Sequence, residues 1–436
     1  MIVLPNSLQA RDVPTDRSAE QAGAASGAPG AKCRFCATAL KHTFVDLGMS
    51  PLCESYLSQK QLNQMEAFYP LRVQVCDQCF LVQLDEYVSA EEIFSEYAYF
   101  SSYSDSWLKY AADYVEMIVK RLQLDDKSSV VELASNDGYL LQNFVKKGIP
   151  ALGVEPAVNV AKVAEKKGVR TLVKFFGRKT AREMAASGAK ADLVIGNNVL
   201  AQVPDLNDFV GGIAILLAPR GTVTLEFPHL QRLIEGHQFD TIYHEHFSYF
   251  SLLAVERVLR HHGLKIYDVE EVETHGGSLR LFVAHAGSDM PEGPRVTELR
   301  SREVELGYDQ LPIYSSFDSK VQETKRNLLE FLIRVRREGK SVAGYGAPGK
   351  GNTFLNYCGI RTDFLDYTVD RNPYKHGKFL PGTHIPIYAP ERLQETRPDY
   401  ILILPWNLKR EIAAQLEYAR SWGAKLVVAI PKLEVF

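Results

Sequence analysis

The sequence predicts an α/β protein: two open, mostly parallel sheets that follow a small cysteine-rich module. From residue 129 to 226, short apolar segments alternate with longer amphipathic ones, and the alternation restarts at residue 341. Strands alternating with helices give a parallel sheet with helices on both faces. In each series a strand runs into a small-residue turn, Ala134-Ser135-Asn136-Asp137-Gly138 in the first and Gly344-Tyr345-Gly346-Ala347-Pro348-Gly349-Lys350-Gly351 in the second. Such turns lie at the carboxyl edge of a sheet, where these folds bind ligands. Ahead of both series, four of the six cysteines stand in two Cys-x-x-Cys pairs.

Residues 1–30, rich in Ala, Gly, Ser and Pro, read as a disordered tail; Met1-Ile2-Val3-Leu4 is too short for a signal-peptide core. Residues 31–87 read as short strands and turns around Cys33, Cys36, Cys76 and Cys79. Two such pairs supply four thiolates to one tetrahedral Zn²⁺ at about 2.3 Å, a closed site that builds structure and leaves no position for water. Two disulfides or redox pairs are the rival reading, and nothing in the sequence points to an oxidising compartment. The unpaired Cys53 and Cys358 fit a reducing cytoplasm. A net charge of −3 argues against a nucleic-acid or anionic-membrane partner, and no apolar run reaches the length of a membrane helix.

A domain over 88–290 begins with a helix from Ser104 to Leu122. Strand Ser129–Leu133, helix Leu140–Lys147, strand Ala151–Val154, helix Ala157–Lys167, strand Ala191–Ile195, helix Leu206–Leu217 and strand Gly221–Glu226 follow. A helix at 251–262, with Ser251 as N-cap, and strands at 264–274 and 278–285 close it. Residues 291–340 form a helical connector, with a long amphipathic helix from Pro312 to Arg337. The last domain, 341–436, carries strand Ser341–Gly344, a helix to Tyr357, and strands Leu365–Val369, Tyr400–Leu404 and Lys425–Ile430, with a helix over Leu408–Trp422.

The first turn lacks the G-x-G-x-x-G spacing of dinucleotide sites, and S-adenosylmethionine (SAM), which needs no pyrophosphate cradle, suits it better. Ala134, Asn136 and Gly138 let the backbone approach a ligand, and Glu155-Pro156 at the end of the next strand places a carboxylate for ribose hydroxyls. Asn197-Asn198 closes the strand Ala191–Ile195, where donor and acceptor should meet, although such a pair also suits plain turn chemistry. Tyr243-His244-Glu245-His246 is the densest titratable cluster in the chain. It fits a general base, a metal pair at i, i+2, or aromatic packing with backbone-bonded imidazoles. In the second turn the glycine spacing by itself favours NAD, whereas Pro348 and Lys350 favour a diphosphate held by Lys350, with Asp370 on a ribose hydroxyl.

The set Glu96-Tyr97-Ala98-Tyr99-Phe100-Ser101-Ser102, Glu132 to Gly138, Tyr243 to His246, Thr274-His275-Gly276-Gly277-Ser278 and Gly344 to Gly351, behind a cysteine-rich module, resembles the sugar C-methyltransferases that act on nucleotide-linked 4-keto deoxysugars. The resemblance covers nearly everything after residue 31. It implies a class I SAM methyltransferase domain, Rossmann-like, between a zinc-binding module and a second Rossmann-like C-terminal domain, as a monomer or loose dimer. It implies His246 as the base at C-3, Tyr243 and Glu245 positioning sugar and base, and Tyr97 or Tyr99 reaching the sugar. Ala134, Asn136, Gly138, Glu155, Pro156 and Asn197 would bind SAM. Asn198, Tyr345, Lys350, Asn352 and Asp370 would contact the sugar nucleotide. Gln202 departs from the pattern, standing where the family usually carries a histidine; an amide donates to an enolate oxygen but relays no proton. An NAD-dependent oxidoreductase and a catalytically impaired sugar-nucleotide-binding homologue are the alternatives.

Overall fold

The computed structural model describes residues 31–89, 92–93, 102, 105–188 and 190–436. The tail at 1–30 and the tyrosines Tyr97 and Tyr99 lie outside the described residues.

The module contributes three antiparallel strands, β1 (His42–Ser50), β2 (Tyr69–Val75) and β3 (Val82–Leu84). The central sheet then lays down β4 (Val130–Leu133), β5 (Ala151–Val154), β6 (Arg170–Leu172), β7 (Ala191–Asn197) and β8 (Leu217–Pro228). After β8 the chain returns to the module, where the two-residue β9 (Ser248–Tyr249) pairs with β3 and completes a sheet of order β1-β2-β3-β9. It then closes the central sheet with β10 (Leu264–Val272) and β11 (Ser278–His285).

The central order is β10-β11-β8-β7-β4-β5-β6, with β11 inserted antiparallel between β8 and β10. Reversal of strand order at β4, with one late strand inserted antiparallel, is the class I methyltransferase arrangement. β4 is buried at all four positions, as a central parallel strand covered on both faces should be. Helix Asp105–Leu122 covers one face with Ala111, Tyr114, Val115 and Ile118. Helices Leu206–Leu216 and Leu252–His261 cover the other. Ser251 is the N-cap of the latter, its hydroxyl accepting from the Ala254 amide at 3.1 Å.

The third sheet runs β14 (Ile387–Tyr388), β13 (Thr368–Val369), β12 (Val342–Tyr345), β15 (Tyr400–Ile403), β16 (Lys425–Val428) and β17 (Glu434–Val435), parallel except for β17. The expected helix over Leu408–Trp422 is instead an α-helix, Lys409–Gln415, flanked by 3₁₀ turns Trp406–Leu408 and Glu417–Trp422. The expected helix from Pro312 breaks into Leu311–Ser315 and Phe317–Arg337. The longer piece buries Phe317, Val321, Leu328, Phe331, Leu332 and Val335, a stripe at helical spacing, and so packs as core. Phe44 of β1 stacks on Phe317 with ring centroids 4.6 Å apart.

The module belongs to two cores at once. Phe44, Val45, Leu71 and Val73 share a cluster with Phe317, Leu328, Phe354 and Leu402 of the C-terminal half. Cys33, Cys76, Cys79 and Leu81 share another with Val131, Phe227 and Leu281 of the central sheet. Burial of each such side chain contributes about 1.5–3 kcal/mol relative to exposure, so the module is fixed against both domains.

Candidate active site and metal centre

The four cysteines converge. All four Sγ atoms lie within 4.8 Å of one another, with Cys33–Cys79 and Cys36–Cys76 at 3.5 Å and Cys36–Cys79 at 3.7 Å. Thiolates on a tetrahedral Zn²⁺ at about 2.3 Å stand roughly 3.8 Å apart, so this donor set fits zinc, and the separations exceed a disulfide bond by far. Gln83 of β3 donates from Nε2 to the Cys33 sulfur at 3.2 Å and accepts the Arg34 amide at 2.8 Å. That is the outer-shell support metal thiolates require. Of the described His, Cys, Asp and Glu side chains, these four form the group placed to hold a metal.

The edge expected to take SAM lies at the carboxyl ends of β4, β5 and β7. Ala134 (φ 54°), Asn136 (φ 49°) and Asn198 (φ 55°) occupy the left-handed region. Each costs a non-glycine residue about 1–3 kcal/mol, a strain that clusters at functional sites. Glu155 is buried and ties the two loops together: one carboxylate oxygen accepts the Asn136 amide at 2.9 Å, the other the Ala157 amide at 2.9 Å. Burial raises its pKa. Pro156 follows it at the loop's turn. Gly138 (φ 73°) meets neighbouring protein, since a Cβ there would lie 3.0 Å from Val169 Cγ2; its smallness serves packing. Glu132 Oε2, Asp137 Oδ1, Asn197 Oδ1 and Asn198 Oδ1 are buried acceptors without a partner among the described residues. Burial in that state is costly, so the edge is built for a ligand rich in N–H and O–H donors, which SAM is. Burial and the charges of Glu155 and Asp137 hold the Glu132 carboxyl well above its ordinary pKa.

Beside this edge stands a wall that the sequence reading did not single out. Trp107 stacks on Tyr110 with centroids 5.0 Å apart and meets His275 edge-on at 5.3 Å. His275 (φ 55°) bonds through Nε2 to the Asn198 amide at 3.2 Å. Buried Glu226 gathers Tyr110 Oη (2.6 Å), Thr274 Oγ1 (2.9 Å) and Arg280 Nη2 (3.0 Å). A Thr-His-Gly-Gly signal was visible in the sequence; its dependence on Glu226 and Arg280 was not.

The Tyr243–His246 loop lies across the junction of all three units. His246 Nδ1 donates to the Thr241 carbonyl at 3.0 Å, which fixes the tautomer and leaves the Nε2 lone pair free to accept a proton. Tyr243 lies against the imidazole, centroids 4.1 Å apart. Burial, opposed by the Thr241 hydrogen bond and aided by the charge of Lys350, depresses the His246 pKa to about 4. His275 is depressed to about 3 by burial, Lys350 and His246. Gln202 ends a 3₁₀ turn whose Ala201 carbonyl accepts the Phe247 amide at 2.8 Å, so that turn adjoins the Tyr243–His246 loop.

Two expectations for this loop change. The tautomer of His246 is set by Thr241 rather than Glu245, whose carboxyl meets the Cys53 thiol at 3.7 Å. Burial and the Glu54 charge push Glu245 up to about 8. His244 turns the other way, with Nε2 on the Pro70 carbonyl of the module at 3.1 Å, so the i, i+2 metal pair is not formed.

The glycine-rich turn also differs from expectation. Its amides are engaged within the protein: Gly346 with the Val369 carbonyl (2.7 Å), Ala347 with Asp370 Oδ2 (2.7 Å) and Gly349 with the Glu54 carboxylate. Asp370 Oδ1 takes the Asn372 amide at 2.8 Å. Tyr345 donates to Gln415 at 2.7 Å, and buried Asn352 donates to the Cys53 carbonyl at 2.5 Å. Tyr345 and Asp370 brace the loop through these bonds, whereas Asn352 keeps its Oδ1 buried without a partner among the described residues. Lys350 is the exception and faces the junction, bonded to Asn407 Oδ1 at 2.9 Å.

Comparison with known proteins agrees with this anatomy. Residues 33–94 match a zinc binding domain, 106–269 a methyltransferase domain and 273–431 a C-methyltransferase C-terminal domain. Over 404 residues the chain is 35% identical to C-methyltransferase NovU of Streptomyces niveus, spanning 93% of this chain and 96% of that one. A solved SAM-dependent methyltransferase of Clostridium acetobutylicum is similar at 16% identity, covering 43% of this chain and 94% of its own, with a TM-score of 0.33. Magnesium protoporphyrin IX methyltransferase of Synechocystis is similar at 16% identity, over 42% and 82%, with a TM-score of 0.31. The chain belongs to the SAM-dependent C-methyltransferase family, with its zinc-binding domain at the N-terminal side of the methyltransferase domain and the family's C-terminal domain after it.

Proposed function

We propose that this protein transfers a methyl group from SAM to C-3 of a nucleoside-diphosphate-linked 4-keto deoxysugar in the cytoplasm, His246 acting as the base. We assign residues 31–87 to the zinc module, 88–290 to the methyltransferase domain, 291–340 to the connector and 341–436 to the sugar-nucleotide domain. The observation that carries the reading is the protonation geometry of His246. Its Nδ1–H is committed to Thr241 and its Nε2 is left as a neutral acceptor at the junction. A hydrogen α to a ketone is acidic enough for such a base when the enolate oxygen meets preorganised donors. In this reading Gln202 and the Asn198 amide are the donors, and Tyr243, packed against the imidazole, backs it. Bound SAM supplies an electrophilic methyl on a sulfonium; the residues of this chain hold the acceptor carbon in line and take its proton.

His246→Ala should lower turnover of a dTDP- or UDP-linked 4-keto-6-deoxyhexose by about 10²–10⁴-fold with SAM affinity retained. Turnover within a few-fold of the parent would overturn the assignment of the base. Calorimetry with SAM and NAD⁺ separately should give micromolar binding of SAM alone.

A further inference from the structure

Lys350 sits in a turn whose anion-binding capacity is already engaged. Asp370 and Glu54 take the Ala347 and Gly349 amides, and the charge of Lys350 is directed elsewhere. Its Nζ lies 5.2 Å from the centroid of Trp406, and the Trp406 indole N–H donates to Asp240 Oδ2 at 2.7 Å. A Cβ on Gly276 would lie 2.6 Å from the tip of Trp406, which places that ring against the His275 loop. Asp240 precedes Thr241, the residue that holds His246. One contiguous chain of contacts thus joins the ammonium to both histidines, across the junction between the central and C-terminal domains. The charge is felt at each: Lys350 is among the causes that depress His246 and His275.

We infer that Lys350 is a catalytic residue whose ammonium stabilises the enolate oxygen formed when His246 removes the C-3 proton, and that it does not hold the substrate's diphosphate. The inference rests on the reaction proposed above. In that reaction His246 Nε2 takes the proton and the C–H electron pair becomes the enolate, with its negative charge on the former ketone oxygen. The C–CH₃ bond then forms as the S–CH₃ bond of SAM breaks, the ketone is regenerated, and the imidazolium returns its proton to solvent. Lys350 neither gains nor loses a proton; it lowers the energy of the charge that appears between the two steps. A fixed cation does this without reorganisation, because Trp406 and Asn407 already hold it.

The test uses full-length, zinc-loaded Lys350→Met and Lys350→Gln, with circular dichroism and SAM affinity as folding checks. Dissociation constants for dTDP and UDP are measured by calorimetry. Loss of deuterium from C-3 of a dTDP- or UDP-linked 4-keto-6-deoxyhexose is followed in water with S-adenosylhomocysteine in place of SAM. Both variants should slow C-3 exchange and kcat by about 10²–10³-fold, the range for loss of one oxyanion donor, while nucleotide affinity stays within about threefold. A tenfold or greater loss of dTDP or UDP affinity with exchange preserved at saturating substrate would make Lys350 a diphosphate ligand and overturn the inference. Exchange and affinity both unchanged would overturn it as well. If Lys350→Met does not fold, Lys350→Gln alone decides. Failure of the parent enzyme to exchange C-3 deuterium would instead sink the proposed reaction, a result separable from either outcome at Lys350.

Discussion

The depressed pKa of His246 makes the pH profile of this enzyme diagnostic. An ordinary histidine base, with a pKa of about 6.5, is about 9% unprotonated at pH 5.5, so kcat/KM would fall roughly elevenfold from its plateau. With a pKa of about 4, His246 is about 97% unprotonated at the same pH, and kcat/KM should be nearly flat from pH 7.5 to 5.5. The assay is kcat/KM across that range, because this ratio reports the free enzyme's base. Folding must be checked alongside it. Between about pH 4 and 6.5 the unfolded chain binds a proton at this histidine that the folded chain does not, so stability rises with pH and is lost as pH falls. For His246 the loss at pH 5.5 is about 1.4 kcal/mol, and His275, depressed to about 3, acts in the same direction. A protein still folded at pH 5.5 whose kcat/KM shows an acid limb near 6.5 would refute the argument that burial keeps His246 neutral.

Other expected outcomes test the frame around the base. Complete zinc removal should lower methyl transfer at least tenfold while SAM affinity is retained, since the module touches the His246 loop through Leu84 and Pro70; calorimetry beside a turnover assay reads both. In Gly153→Ala the new methyl would overlap Ser135 Oγ, and the loss should be about 1–3 kcal/mol by denaturant titration, with weaker SAM binding as the 134–138 loop shifts. Arg280→Met leaves the buried Glu226 carboxylate without its cation, held by Tyr110 and Thr274 alone, which should destabilise by about 3–5 kcal/mol in the same titration.

What could be read in the sequence was what local pattern carries. The alternation over 129–226 shows β4, β5, β7 and the helices between them because buried parallel strands are short apolar runs. β6 was missed because Arg170–Leu172 is three residues long and partly exposed, with no run to detect. Helix Arg178–Ala186 was missed because only Thr180, Ala181 and Met184 of its nine residues are buried. The cysteine spacing carried the metal site, since each pair is local and zinc chemistry joins the two. At the glycine-rich turn, local pattern left the reading open. A diphosphate loop and a loop whose amides are taken by its own protein look alike over ten residues, and the difference lies in Glu54, roughly 300 residues earlier. The tautomer of His246 was equally hidden: the adjacent Glu245 is the obvious partner on paper, but the Thr241 carbonyl reaches Nδ1.

On the proposed reaction, the Tyr243–His246 loop explains why a closed zinc site belongs to this enzyme at all. Hydrogen bonds from every part of the chain hold residues 242–247. The central domain supplies the Ala201 carbonyl to the Phe247 amide, and the C-terminal helix supplies Thr353 to the Ile242 carbonyl at 3.0 Å. The module supplies the Pro70 carbonyl to His244 at 3.1 Å and the Leu84 amide to the Phe247 carbonyl at 3.0 Å. A typical hydrogen bond is worth about 1 kcal/mol net, so no single tether holds the loop, and losing the two from the module strips it of its hold on that side. Those two depend on β2 and β3, short strands whose ends carry Cys76 and Cys79 and whose pairing continues into β9 beside the base. A three-residue strand has too little core of its own to stay in register; a tetrahedral thiolate cage across the hairpins gives it one. Under the proposed reaction, bound zinc would act through geometry, by keeping β3 where Phe247, and with it His246, must be.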